Sequence, residues 1–252
     1  MTTFGRSDDL QGAEFLDANL RGARFVGVDL SGAVLRGVDV DGAEIDAPWL
    51  LDGEGSLVVN GVDVAPHVDA ELDRRFPGRG LRRAADPDGL RAAWAALESA
   101  WAATLARAAT MPLDSLDVSV DGEWSFAQTL RHLVLATDAW LGRSVLGLEQ
   151  PFHPLGVTFA GAEDVGLDMS LFRTDLPAYD EVLEARSDRV AQVRGYLAAV
   201  TSDELTVPRP NPWAPSHSET TLKCLHVILE EEWEHLRYAT RDLDTIAAGA
   251  GG

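Results

Sequence analysis

The chain has 252 residues, 46% of them hydrophobic, with 41 acidic against 21 basic side chains and a formal net charge of -20. That length holds one good core plus a smaller module, and that apolar content sets the chain apart from disordered sequences. The acidity argues against a nucleic-acid or anionic-membrane partner, since a phosphate surface would repel it. A single cysteine, Cys224, allows no intrachain disulfide, which fits a reducing compartment. No apolar run approaches the ~20 residues of a membrane span. The opening MTTFGRSDDL lacks the apolar stretch of a signal peptide. The expectation is a cytoplasmic protein.

Residues 1–52 repeat with period five: Leu10, Phe15, Leu20, Phe25, Leu30, Leu35, Val40, Ile45 and Leu50 recur without a slip. A small apolar residue precedes most of them by two positions, as at Ala13, Ala18 and Ala23. Five matches neither the helical nor the strand period, and a fixed short period implies a solenoid. The segment resembles the pentapeptide-repeat family, which implies a right-handed, four-sided β-helix with one repeat per side. Nine repeats then make only about two coils, short enough to need support from the rest of the chain. Some members of that family mimic duplex DNA. Nine acidic residues against four basic ones in the first fifty make a modest excess for such a role.

Residues 53–86 read as a connector. Leu57 and Val59, then Asn60-Gly61, then Val62 and Val64 form a short hairpin signal. FPGRGLRRAADPDG, rich in Gly, Pro and Arg, marks a boundary. Four helical stretches follow, at about 87–110, 125–147 (with Ser125 as N-cap), 178–200 and 219–247. The long segments between the second and third and between the third and fourth are candidate lids or pocket walls.

On the last helix, ~100° per residue puts Cys224, Leu225, Ile228, Leu236, Ala239, Leu243 and Ile246 on one arc, together with Glu231, Glu232 and His235. Ionisable groups facing a core are costly unless paired or metal-bound. Glu231 and His235 stand four apart, so their Cβ atoms are about 5–6 Å from each other on one face. With His132 from the second helix they make a ligand set suited to Zn²⁺, with Ni²⁺ or Fe²⁺ as alternatives. The competing reading is an ion pair with an arginine of a neighbouring helix. Gln128, Ala136 and Ala139 share the stripe of His132, leaving room for a cofactor, with Gln128 as a pocket-lining contact. Glu232 is either a proton acceptor beside the metal or the partner of Arg131 or Arg143. Arg131 and Asp138 read as structural or solvated. His226 and Glu230 read as a surface pair, Cys224 as a small buried residue, and His153 and Trp213 as loop residues within reach of the mouth.

GEWSFAQTLRHLVLATDAW around His132 and HVILEEEWEHLRYATRDL around Glu231 and His235 together resemble the DinB-like superfamily. The resemblance covers residues 87–247 and implies a mainly α protein with an up-down-down-up four-helix bundle. It also implies a divalent metal held by His132, Glu231 and His235, with Glu232 available for catalysis. Glutamate in the second ligand position is similar to the branch containing mycothiol-dependent maleylpyruvate isomerase. That implies a small-molecule thiol such as mycothiol as cosubstrate, an electrophilic substrate, S-transferase or isomerase activity, and a homodimer as one assembly. A metal-dependent hydrolase, a metal-stabilised sensor without turnover and an interaction protein acting through the repeats stand as alternatives.

Overall fold

The computed structural model describes residues 3–5, 8–51 and 55–249. It divides into two compact units, Met1–Asp46 and Ala47–Gly252. The boundary expected between residues 52 and 53 lies outside the described residues. The chain is mainly helical, and among the described residues no helix is long and apolar enough to cross a membrane.

In the first unit the apolar period is five but the turn period is ten. Ala13, Ala23, Ala33 and Ala43 each donate a backbone bond to the carbonyl three residues back, at 2.9–3.0 Å. Asp9, Asn19, Asp29 and Asp39 each accept from the backbone N–H two residues on, at 2.8–3.1 Å, which is the Asx-turn chemistry of these side chains. Gly12, Gly22, Gly32 and Gly42 close the turns with φ of 71–75°, a conformation that costs glycine least. The described residues of this unit contain no β-strand. Phe15, Leu20, Phe25, Leu30 and Leu35 stay 46–67% exposed. Corners thus form at the expected repeats, but no strand ladder is present among the described residues, and the β-helix is not established by them.

The second unit opens with β1 (Val58–Val59) and β2 (Val62–Asp63), paired antiparallel. Asn60 and Gly61 both hold positive φ between them, as a two-residue hairpin turn demands. The expected connector then departs from its reading, for it holds helix α1 (Ala65–Arg75). The Gly/Arg-rich stretch after it is packed, not open. Arg79 and Arg82 are only 2% and 4% exposed, because Asp69 and Asp73 on α1 take their guanidinium groups at 2.7–3.3 Å.

Four long helices follow: α2 (Pro87–Ala108), α3 (Phe126–Thr137), α4 (Tyr179–Ala199) and, after the short α5 (Ser202–Leu205) and the strands β3 (Pro208–Pro210) and β4 (Ser218–Thr220), α6 (Thr221–Gly249). Helix α3 packs on α4 and α6, and α2 packs on α6 and α4. The core between them holds Trp94, Leu97, Leu130, Leu133, Ile228 and Trp233. A π-helical stretch, Asp138–Val145, prolongs α3. Two ion pairs cross this core: Arg186 of α4 with Glu232 of α6 at 2.5 Å, and Arg189 of α4 with Asp138 at 2.5 Å.

Helix α3 starts where Ser125 accepts from Gln128 N–H and Gln128 Oε1 accepts from Ser125 N–H, at 3.2 and 2.9 Å. This reciprocal cap satisfies two of the four free amides of the first turn. Ser125→Ala removes half of it and is expected to lower stability by about 1 kcal/mol. Chemical denaturation, with the midpoint shifted and the slope unchanged, checks this.

Candidate metal centre

His132 comes from the middle of α3, and Glu231 and His235 come from successive turns of α6. The structure brings the three together, with one potential ligand atom of each within 4.8 Å of the others. His132 Nε2 and His235 Nδ1 each stand 3.4 Å from Glu231 Oε2. Both histidines are buried, while Glu231 keeps 30% of its side-chain surface.

Main-chain carbonyls decide which ring nitrogens are free. Val157 O lies 3.1 Å from His132 Nδ1, and Glu231 O lies 2.8 Å from His235 Nδ1. A carbonyl only accepts, so each Nδ1 carries the proton and each neutral ring keeps its lone pair on Nε2. This is the tautomer that metal-ligating histidines adopt, with the other nitrogen held by a backbone or carboxylate oxygen. On His132 it is Nε2 that faces a carboxylate oxygen. Two electron-rich atoms at this separation are stable only with a proton or a cation between them.

Burial pushes the Glu231 carboxyl up, but His132 and His235 outweigh it and hold the carboxyl below its usual range. Burial, with the neighbouring His132, lowers His235 from 6.5 to about 4. At neutral pH the site therefore presents a carboxylate and a neutral imidazole, the forms a metal requires.

Aromatic rings close the site on one side. The Trp124 ring lies 4.3 Å from that of His132 and 5.9 Å from that of His235, and the His132 and His235 rings lie 4.8 Å apart. Tyr238 meets His235 edge-on at 5.9 Å. The sequence reading assigned no role to Trp124, Tyr238 or Val157. Trp124 stands eight residues before His132, just ahead of the Ser125 cap. Val157 contributes a backbone carbonyl, which no side-chain pattern reveals.

Other expected site residues are placed elsewhere. Gln128 spends its amide oxygen on the helix cap. Glu232, expected as a catalytic group, is 1% exposed and bonded through both oxygens to Arg186 Nη2. Its partner is Arg186, neither Arg131 nor Arg143. Arg131 Nε donates to Leu155 O at 2.7 Å, and Asp138 accepts from Arg189 and from His153 N–H. His153 thus belongs to a wall that braces α3, and Trp213 stacks on Phe152 at 6.4 Å. His226 is half-buried, with Nε2 donating to Ala84 O at 2.8 Å, so it is not half of a surface pair. Cys224 is fully buried and its thiol is pushed up to about 11, chiefly by burial.

The lowered His235 fixes a pH dependence for metal-free protein. The unfolded chain takes up that proton first, so stability is complete above pH 6.5 and is lost as pH falls towards about 4. The full gap is on the order of 3 kcal/mol. Thermal melts in chelator are expected to show this loss, and His235→Gln is expected to flatten it over the same window. Parallel curves for the two proteins would contradict the assignment.

Eight copies of the pentapeptide-repeat model match residues 9–45. No curated protein and no solved structure matches the chain. The model of the DinB superfamily matches residues 96–239, a span that includes His132, Glu231 and His235. More than half of the chain lies in that match, and the chain belongs to the DinB superfamily.

Proposed function

We propose that the second unit is a divalent-metal-dependent enzyme whose metal, with Zn²⁺ first in order, is held by His132, Glu231 and His235. The single observation that carries this reading is the convergence of one potential ligand atom each of His132, Glu231 and His235 within 4.8 Å. The fixed tautomers, the neutral His235 and the mixed nitrogen–oxygen donor set all fit a divalent cation. In this reading the four long helices form the superfamily's up-down-down-up bundle, with the metal between its second and last members.

Three protein donors leave a position for an exogenous ligand. A cation held there would lower the pKa of a thiol or a water. Cys224, with its thiol raised and its side chain enclosed, does not supply that thiol. A small external thiol of the mycothiol type, attacking an electrophilic substrate, is the reaction that the resemblance of the Glu231-containing motif supports. The Trp124 and Tyr238 rings would bound the space that the substrate enters.

Metal analysis of purified protein, stripped and then reloaded, is expected to find one divalent ion per chain. His132→Ala, Glu231→Gln and His235→Ala should each weaken Zn²⁺ binding by more than the roughly 100-fold that loss of an outer hydrogen-bond partner can cost. Free Zn²⁺ at about 100 times its Kd should stabilise the wild type by about 2.7 kcal/mol, and the three variants by far less. Unaltered affinity in the variants would refute the centre. A bound metal without conjugation of mycothiol to any electrophile would refute the thiol reaction and leave the centre standing.

A further inference from the structure

Five arginines are buried among the described residues: Arg79, Arg82, Arg131, Arg186 and Arg189. Four of them have a carboxylate oxygen at 2.5–2.8 Å. Arg131 is the exception. It is 7% exposed, and no carboxylate among the described residues lies within ion-pair reach of its guanidinium. Its Nε donates to Leu155 O at 2.7 Å, but Nη1 and Nη2 have no hydrogen-bond partner among the described residues. Neither of these two nitrogens is sealed from solvent, and Arg131 lines a pocket between α3 and the start of α4. A buried cation without a counterion is costly, and the other four arginines show the usual compensation.

The other walls define the anion that fits. Ala127, Leu176, Pro177 and Val182 are apolar, and Tyr179 offers a phenol as a second donor. The pocket has about 10 Å³ of room, about what one water-sized group requires. A carboxylate oxygen enters such a space, whereas the bulkier phosphate group does not. Asp117 also lines the pocket and is exposed to solvent, so its charge disfavours a dianion. Leu176, 69% exposed, lies at the outer edge and offers a contact to an apolar tail. None of His132, Glu231 and His235 lines the pocket.

We propose that the pocket between α3 and α4 binds the carboxylate of a small monoanionic organic acid. The free end of the Arg131 guanidinium is the charged donor, Tyr179 is the neutral one, and a short apolar tail lies against Leu176. This site does not depend on the reading of the metal centre.

The probe is butyrate. Titrated calorimetrically into the full chain in chelator, at constant ionic strength, it is expected to saturate at one site. Butyramide has the same shape without the charge and should bind about tenfold more weakly, because the charge-assisted bond to Arg131 is lost. This comparison needs no variant. Two exposed positions test the site without touching the core. Asp117→Asn removes the pocket's own carboxylate and is expected to tighten butyrate binding about twofold or more. Leu176→Asp places a like charge at the edge and should weaken it about twofold or more. Arg131→Gln, once shown to be folded by circular dichroism, should abolish saturable binding. Absence of saturable butyrate binding, equal affinity for butyramide, or wild-type affinity in folded Arg131→Gln would overturn the site. Unchanged affinity in both Asp117→Asn and Leu176→Asp would overturn its placement in this pocket. Displacement of butyrate by an equal concentration of inorganic phosphate would overturn the choice of a carboxylate.

Discussion

Two main-chain carbonyls govern the candidate centre. By accepting from Nδ1 of His132 and of His235, Val157 O and Glu231 O hold both rings in one tautomer and direct their basicity to Nε2. The carbonyl of Glu231 acts on His235 through the helix itself. The carbonyl of Val157 belongs to the long segment between the π-helical stretch and α4, so that segment is part of the site. Its anchors are visible: Arg131 holds Leu155 O, Asp138 holds His153 N–H, and Phe152 and Leu155 are buried.

The inner face of α6 carries more ionisable groups than one centre uses, and the structure separates them by partner. Glu231 meets two imidazoles, whereas the next residue, Glu232, meets Arg186 of α4. Adjacent residues on a helix point about 100° apart, which is enough to divide one acidic pair between two tasks. The Arg186–Glu232 and Arg189–Asp138 pairs both run from α4, one to α6 and one to the prolongation of α3. Breaking either would strand a buried charge. They hold α4 against the two helices that carry His132, Glu231 and His235.

Much of this was legible in the sequence, because the helices follow strong local signals. Period 3.6 marked all four long helices, and Ser125 marked the start of α3. The grouping of His132, Glu231 and His235 was legible because ionisable residues on an apolar arc violate the pattern around them. What was missed lacks such a violation. Helix α1 is mostly exposed, with only Ala65 buried, and its polar composition hid it among turn signals. Arg79 and Arg82 looked like linker residues because their carboxylate partners lie six to thirteen positions earlier. The partner of Glu232 was missed because it stands 46 residues away on α4, a distance no local pattern spans. In the repeat segment the five-residue apolar period masked the ten-residue alternation of Asx and glycine that sets the turns.

The most direct measurement of the central claim is long-range ¹H–¹⁵N correlation on histidine-labelled protein, with and without Zn²⁺. The account predicts that metal-free His132 and His235 both carry a proton on Nδ1, that His235 is neutral near neutral pH, and that Zn²⁺ moves the Nε2 signals of these two rings and leaves the other four histidines unchanged. A proton on Nε2 of His235 near neutral pH, a bare Nδ1 on either ring, or Zn²⁺ shifts that bypass them would contradict it.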